Sequence, residues 1–287
     1  MRETALSTVE SSFALSALAQ GRRLDGRTLT DTRTVSLSFG AELGSVTCSM
    51  GKTRVMAQVS AEVVRPPPER PYEGFLVIST EVTPLASAAY EMNRQTEEEI
   101  LVARTLEKAI RRTEAVDRES LCIVAGDKVW SIRVDVHFLN DDGNLADCAC
   151  LAAMAALLHF RRPDVTVENG ADVTIHSLEE RVPVPLAIHH TPLCVTFAFF
   201  ENQASPSDSI VAIDPTGLET QISSGEITYT LNAQSEICVL SKAGGTPLAG
   251  REIMRMMGLA LVKVKELDEL IDAALLRDSR TRVVSII

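Results

Sequence analysis

The segment Leu139-Asn140-Asp141-Asp142-Gly143-Asn144-Leu145-Ala146-Asp147 constrains this chain more than any other. It follows an extended run from Val129 to Leu139 and opens an Ala-rich stretch from Leu145 to Phe160. The pattern reads as a strand, a tight glycine turn and a helix N-terminus. That arrangement leaves free backbone N–H groups and the positive end of the helix dipole facing the turn, which suits an anion. An enzyme that uses phosphate would add an arginine in the first helical turn for a bidentate grip. Here the first turn carries Leu145, Ala146 and Asp147 instead. The cradle is expected, its cation is missing, and a carboxylate stands in its place.

With 287 residues the chain can bury one large core or two modest ones. Hydrophobic residues at 45% and charged residues at 23% are ordinary for a folded domain and argue against wholesale disorder. No apolar run reaches the roughly 18 residues that cross a bilayer, so no membrane partner is expected. Met1-Arg2-Glu3-Thr4 leads into an amphipathic stretch that contains Glu10, which does not read as a secretory signal. Cys48, Cys122, Cys148, Cys150, Cys194 and Cys238 are scattered in apolar contexts without a CxxC pair, and read as reduced core thiols of an intracellular protein. A net charge of −11 makes the isolated chain a poor general binder of nucleic acid. If RNA is the ligand, it must meet a local basic patch, completed by another subunit.

Along the chain, Ser7 and Glu10 fit a capping box ahead of Phe13, Leu15 and Leu18, with Gly21 to close the helix. Alternation at Val35, Leu37 and Phe39 predicts a strand, Gly40 to Gly44 a hairpin turn, and two more strands follow near 45–50 and 54–64. The proline-rich 65–71 is an exposed loop, and 75–81 is strand-like. Residues 95–112 have helical spacing, with Ile100, Leu101, Ala103, Leu106 and Ile110 offered as the core face. Short strands are expected near 165–167, 173–175, 193–200, 209–213, 226–231 and 236–241. A last helix over 247–276 has Met254, Met257, Leu261, Val264, Leu267 and Ile271 at helical spacing. Strands, helix, strand and helix, then strands and a helix again, suggest two related halves.

Arg23-Leu24-Asp25-Gly26-Arg27, Gly51-Lys52-Thr53, Arg104-Thr105-Leu106, Arg133-Val134-Asp135-Val136 and Asp142-Gly143 resemble the RNase PH family of phosphate-dependent 3′-to-5′ exoribonucleases and their inactive relatives. The segments 121–126 with Val129-Trp130, 159–164, 179–186 and 188–190 look most like its non-catalytic members in the eukaryotic RNA exosome ring. The resemblance runs from Ser11 to about Leu270. It implies an α/β (α+β) chain with an RNase PH-like fold, made of two related β-α halves of the ribosomal protein S5 domain 2-like type. The corresponding divisions are an N-terminal helix and charged turn over 1–28, a first domain over 29–165, a connecting segment over 166–187 and a second domain with the C-terminal helix over 188–287.

The resemblance also implies what has been lost. Active relatives read Asp-Gly-Gly-Thr-Arg where this chain has Asp142, Gly143, Asn144, Leu145 and Ala146, so the hydroxyl and the guanidinium are both gone. Their carboxylate pair falls at Thr220 and Glu226, and one acid is gone. Phosphorolysis needs a bound phosphate and a carboxylate pair, so the chain reads as non-catalytic, without cofactor or metal. Its implied role is structural, scaffolding 3′-to-5′ RNA processing and degradation (rRNA maturation and mRNA turnover). The implied partners are other RNase PH-like ring subunits, S1/KH cap subunits, a hydrolytic nuclease and single-stranded RNA threading the ring, in nucleus, nucleolus and cytoplasm. Arg94, Arg104 and Arg111 are the candidate RNA contacts, with Lys108 expected on the same helical face as Arg104 and Arg111. Against that stands a solvated, salt-bridged helix, because Glu97, Glu98, Glu99 and Glu107 share it. Cys148, Cys150 and His159 lack metal-ligand spacing and read as core, as His189-His190 reads as structural. Two rivals remain: an active phosphate-dependent 3′-to-5′ exoribonuclease with a rearranged site, and a partner-binding protein with no RNA role.

Overall fold

The computed structural model describes residues 6–91, 94–168, 172–177, 180–201, 210–242, 244–245 and 247–282. Helix α1 (Thr8–Ala19) opens with the expected capping box, Ser7 and Glu10 satisfying each other's end of the first turn, and Gly21 follows it at φ +74°. Strands β1 (Val35–Phe39), β2 (Ser45–Met50) and β3 (Thr53–Val64) form an antiparallel meander. Strand β4 (Phe75–Val82) precedes helix α2 (Glu97–Leu106), which widens into a π-helical turn at Glu107–Arg111. Then come β5 (Cys122–Val124), β6 (Lys128–Asn140) and α3 (Leu145–His159). The sheet order is β1-β2-β3-β6-β4, with β5 also on β6; β4 is parallel to β6 and lies at the edge.

Short pairs follow: β7 (Arg161–Arg162) with β10 (Val184–Pro185), and β8 (Val165–Glu168) with β9 (Asp172–Ile175). The second half is the antiparallel sheet β12-β11-β13-β14, built from β11 (Leu193–Phe200), β12 (Ile210–Ile213), β13 (Gly225–Leu231) and β14 (Ile237–Lys242). Helix α4 (Gly217–Ile222) lies between β12 and β13, and α5 (Gly250–Thr281) closes the chain. No described helix is long and apolar enough to cross a membrane.

Helix α3 is why the halves form one body. Nearly every side chain on it is buried, because it packs on β2 and β3 at one side and on β11 at the other. A helix that is apolar all round needs cover on all sides. Cys148 and Cys150 are core residues of this helix, as expected, and no disulfide is found among the six cysteines. Cys122 and Cys238 are only half-buried. His159, at its end, accepts the Gly44 N–H at Nδ1 (3.0 Å) and meets Asp278 at Nε2 (3.2 Å), tying the end of α5 to the β1–β2 turn.

Two helix faces differ from the expected ones. On α2, Ile100 and Leu101 are 42% and 61% exposed, and the buried residues are Val102, Leu106, Ala109 and Ile110. The wheel has the right period but is rotated, since α2 lies along the sheet edge and leaves one apolar flank uncovered. On α5, Met254 is exposed and Met256, Ala260, Val264 and Ile271 carry the core contact.

Candidate nucleic-acid interface

The turn after β6 is held from beneath by a residue that sequence reasoning did not single out. Arg33 donates from Nη1 to Thr53 Oγ1 and to Asp142 O (both 3.0 Å), and from Nη2 to Gly143 O (3.1 Å). The same guanidinium grips Asp214 through Nε (3.0 Å) and Nη2 (2.8 Å), and the Arg33 backbone N–H adds a third donor at 2.8 Å. Asp214 sits in the left-handed region at φ +51° and also accepts from Arg27 (3.0 Å) and from Asn144 Nδ2 (2.8 Å). Burial alone would raise the Asp214 carboxyl, but the hydrogen bonds and charge of Arg33 outweigh it and hold the group below the usual range. Arg23 forms a second buried pair with Glu219. The sequence signal for both pairs was weak: arginines among turn residues far from their acids.

Gly143 is required where it stands, at φ +81°. A Cβ there would lie 2.4 Å from Gly217 N and 2.6 Å from the Thr216 carbonyl carbon. The two turns that open α3 and α4 therefore pack backbone on backbone, and Gly217 N–H donates to Asp142 O at 2.9 Å.

Asp147 does not face this turn, as the sequence suggested it would. It points to β11, where Oδ2 accepts the Thr196 N–H and Asn144 Nδ2 and Oδ1 accepts the Thr196 hydroxyl, all at 2.8 Å. The third position of the helix turns inward because both sides of α3 are covered. Among the described residues a guanidinium does reach the turn, that of Arg33, but on the carbonyl side and committed to Asp214.

Burial pushes the Asp147 carboxyl up to about 6, against the pull of its three hydrogen bonds. A carboxyl raised on folding contributes stability in acid that is lost as pH rises through its folded value. Between pH 5 and 7 this one group should cost about 1 kcal/mol. The expected result is that the stability gap between the wild type and Asp147→Asn moves by that amount in favour of the wild type at pH 5, in urea titrations followed by the fluorescence of Trp130. A gap unchanged between the two pH values would contradict it.

Thr220 on α4 and Glu226 on β13 stand together, and the Thr220 hydroxyl and Glu226 Oε1 are both buried without a hydrogen bond of good geometry. Burial raises the Glu226 carboxyl, with Asp147 and Glu98 pushing the same way and Thr220 opposing. The Tyr90 hydroxyl lies between Glu98 Oε2 (3.0 Å) and Asp141 Oδ2 (2.7 Å). The neighbourhood of Ala146 is thus acidic, which disfavours an incoming phosphate. No cluster of three or more His, Cys, Asp or Glu suited to a metal occurs among the described residues.

The three candidate arginines converge elsewhere. A groove of about 440 Å³ runs between β4 and α2, with Arg104 and Arg111 on one wall and Arg118 also lining it. Thr80, Gln95 and Glu99 also line an adjoining hollow of about 600 Å³ that holds Arg94. Lys108 is exposed but lies outside the groove lining. Glu107, three residues after Arg104 and four before Arg111, lies on the groove side with them, and the helix widens there, Arg112 N–H donating to Glu107 O at 3.1 Å. Of the acids expected to salt-bridge this helix, Glu107 does so, and a pair before the helix adds Glu91, which the sequence reading did not name. Arg94 meets Glu91 at 3.2 Å and Arg111 meets Glu107 at 3.0 Å, whereas Arg104 has no such partner among the described residues.

Known proteins share this architecture. Residues 31–163 match the pattern described as "3′ exoribonuclease family, domain 1", and residues 190–263 match its domain 2. The exosome complex component rrp45 of Schizosaccharomyces pombe is 49% identical over 85% of this chain and 81% of its own length. Exosome complex component RRP45 of Saccharomyces cerevisiae is 42% identical over 98% of this chain and 94% of its own, and that of Danio rerio is 45% identical over 98% and 70%. Among solved structures, a chain of the Archaeoglobus fulgidus exosome with RNA bound to the active site superposes with a TM-score of 0.75 at 28% identity, covering 91% of this chain and 97% of that one. An archaeal exosome core gives 0.73 at 26% identity, over 92% and 96%. With both domains matched in order and relatives this similar along nearly its whole length, the chain belongs to the RNase PH family of 3′ exoribonucleases.

Proposed function

We propose that this chain is a non-catalytic structural subunit of an RNA exosome ring, supporting 3′-to-5′ RNA processing and degradation without performing the chemistry. The observation that carries the reading is the turn around residues 142–147, where Arg33 is spent on Asp214 and the surroundings of Ala146 are acidic, with Thr220 beside a lone Glu226. The names of its relatives support membership of an exosome complex. The finer partners fit the same reading: RNase PH-like neighbours in the ring, S1/KH caps, a hydrolytic nuclease, and work in nucleus, nucleolus and cytoplasm. We divide the chain for this role at 28, 165 and 187. Arg104, Arg111 and Arg94 would track the RNA backbone without reading bases.

The deciding experiment is phosphorolysis. Purified chain is incubated with labelled oligoribonucleotide, inorganic phosphate and magnesium, and no nucleoside diphosphate is expected. Its release, lost again in Glu226→Gln, would establish the active-exoribonuclease alternative instead.

A ring subunit alone should also self-associate. Among the described residues the β4 edge carries no further strand, and Val77, Ile100 and Leu101 are exposed close to it. Light scattering should show association at micromolar concentration, relieved by co-expressed subunits; a monodisperse monomer would count against a ring role.

A further inference from the structure

We infer that the glutamates paired with the arginines of the β4–α2 groove and its adjoining hollow act as a brake on RNA binding, leaving Arg104 as its anchor; this rests on the reading of the groove as an RNA path. Among the described residues, every arginine of the groove and its adjoining hollow except Arg104 is held by a carboxylate of its own chain. Glu91 holds Arg94 at 3.2 Å and Glu107 holds Arg111 at 3.0 Å, each within one helical turn or loop. Arg118, at the far end, is held twice, by Glu73 at 3.2 Å and Glu114 at 3.4 Å. Glu107 lies on the groove side beside Arg111, and Glu99 lines both hollows.

A phosphate entering this groove meets, among the described residues, one guanidinium without a carboxylate partner and others that must first exchange a carboxylate for it. The exposed pairs are individually weak, so exchange is possible, yet each one subtracts from the affinity that its arginine would otherwise supply. The arrangement fits a conduit better than a tight site: RNA is held at Arg104 and released easily at its neighbours. It also accounts for how a chain with net charge −11 can touch RNA without binding it broadly.

The test uses the complex that co-purifies with the tagged full chain, a fluorescent twelve-nucleotide oligouridylate as probe, and anisotropy titrations over a series of salt concentrations. Glu107→Gln frees Arg111 and should tighten binding by about two- to five-fold, the range an exposed ion pair is worth. It should steepen the log–log salt dependence by about 0.7, one more phosphate neutralised on a single strand. Glu91→Gln should do the same through Arg94, and adding Arg111→Ala to Glu107→Gln should cancel the gain. If Arg104→Ala weakens binding while both glutamine variants leave affinity and slope unchanged, the brake is wrong and the RNA path stands. If Arg104→Ala is also silent, the RNA path itself is wrong and the brake falls with it.

Discussion

Replacing Arg33 by methionine is expected to lower the unfolding free energy by about 3–5 kcal/mol, the cost of removing one partner from a buried ion pair. Asp214 would remain buried, with Arg27, Asn144 and the backbone N–H of residue 33 still donating to its side chain but without the guanidinium that faces it. The carbonyls of Asp142 and Gly143 would lose their shared donor at the same time. Set against a total of about 5–15 kcal/mol for a natural domain, that is a large fraction. Trp130 is buried in the first half, so its fluorescence reports unfolding at sub-micromolar concentrations where self-association is suppressed. Arg94→Met, at an exposed pair, should stay within about 0.5 kcal/mol. Pairing Arg33→Met with Asp214→Leu should recover part of the loss, because a buried pair can be replaced by apolar groups more safely than broken. Equal stability of Arg33→Met and wild type would remove the inter-half bridge from the account of this fold.

Gly143→Ala should be nearly as damaging, for a different reason. The added methyl meets backbone atoms, which cannot rotate away as a side-chain tip would. Overpacking of about 1–3 kcal/mol adds to a left-handed penalty of about 1–2 kcal/mol. Gly21 is the matched control: its φ is +74°, but a Cβ there meets nothing within 4 Å. Gly21→Ala should therefore show the conformational penalty alone, and the excess in Gly143→Ala measures how tightly the two turns are pressed together. Equal losses in the two variants would mean that the contact yields freely. A selective loss at Gly143 should also reduce incorporation into the assembled complex, read by native mass spectrometry.

Much of the local structure was legible from residue order. Alternation located the meander of β1, β2 and β3, the Ser7–Glu10 box started α1, and the Asp-Gly turn separated β6 from α3. These signals are local: side-chain period, capping and turn chemistry act within a few residues. The candidate site was legible in part. Arg94, Arg104 and Arg111 can be picked out by resemblance, but helical spacing does not tell that Lys108, exposed on the same helix, falls outside the groove lining. Ile100 and Leu101 were assigned to the core because apolar spacing identifies a face without identifying what covers it.

By itself the sequence determined most of the longer elements, their order, and the absence of arginine from the first turn of α3, since those depend on backbone preference and on which residue occupies a position; the short α4, β5, β7 and β10 were not legible in it. Only tertiary packing decided that Asp147 turns towards Thr196, and that Arg33 reaches Asp214 across 181 residues of chain. It also decided that three arginines separated by loops and a widened turn line one groove system. A side chain's direction at such places is set by which surface closes over it, and that surface comes from distant strands.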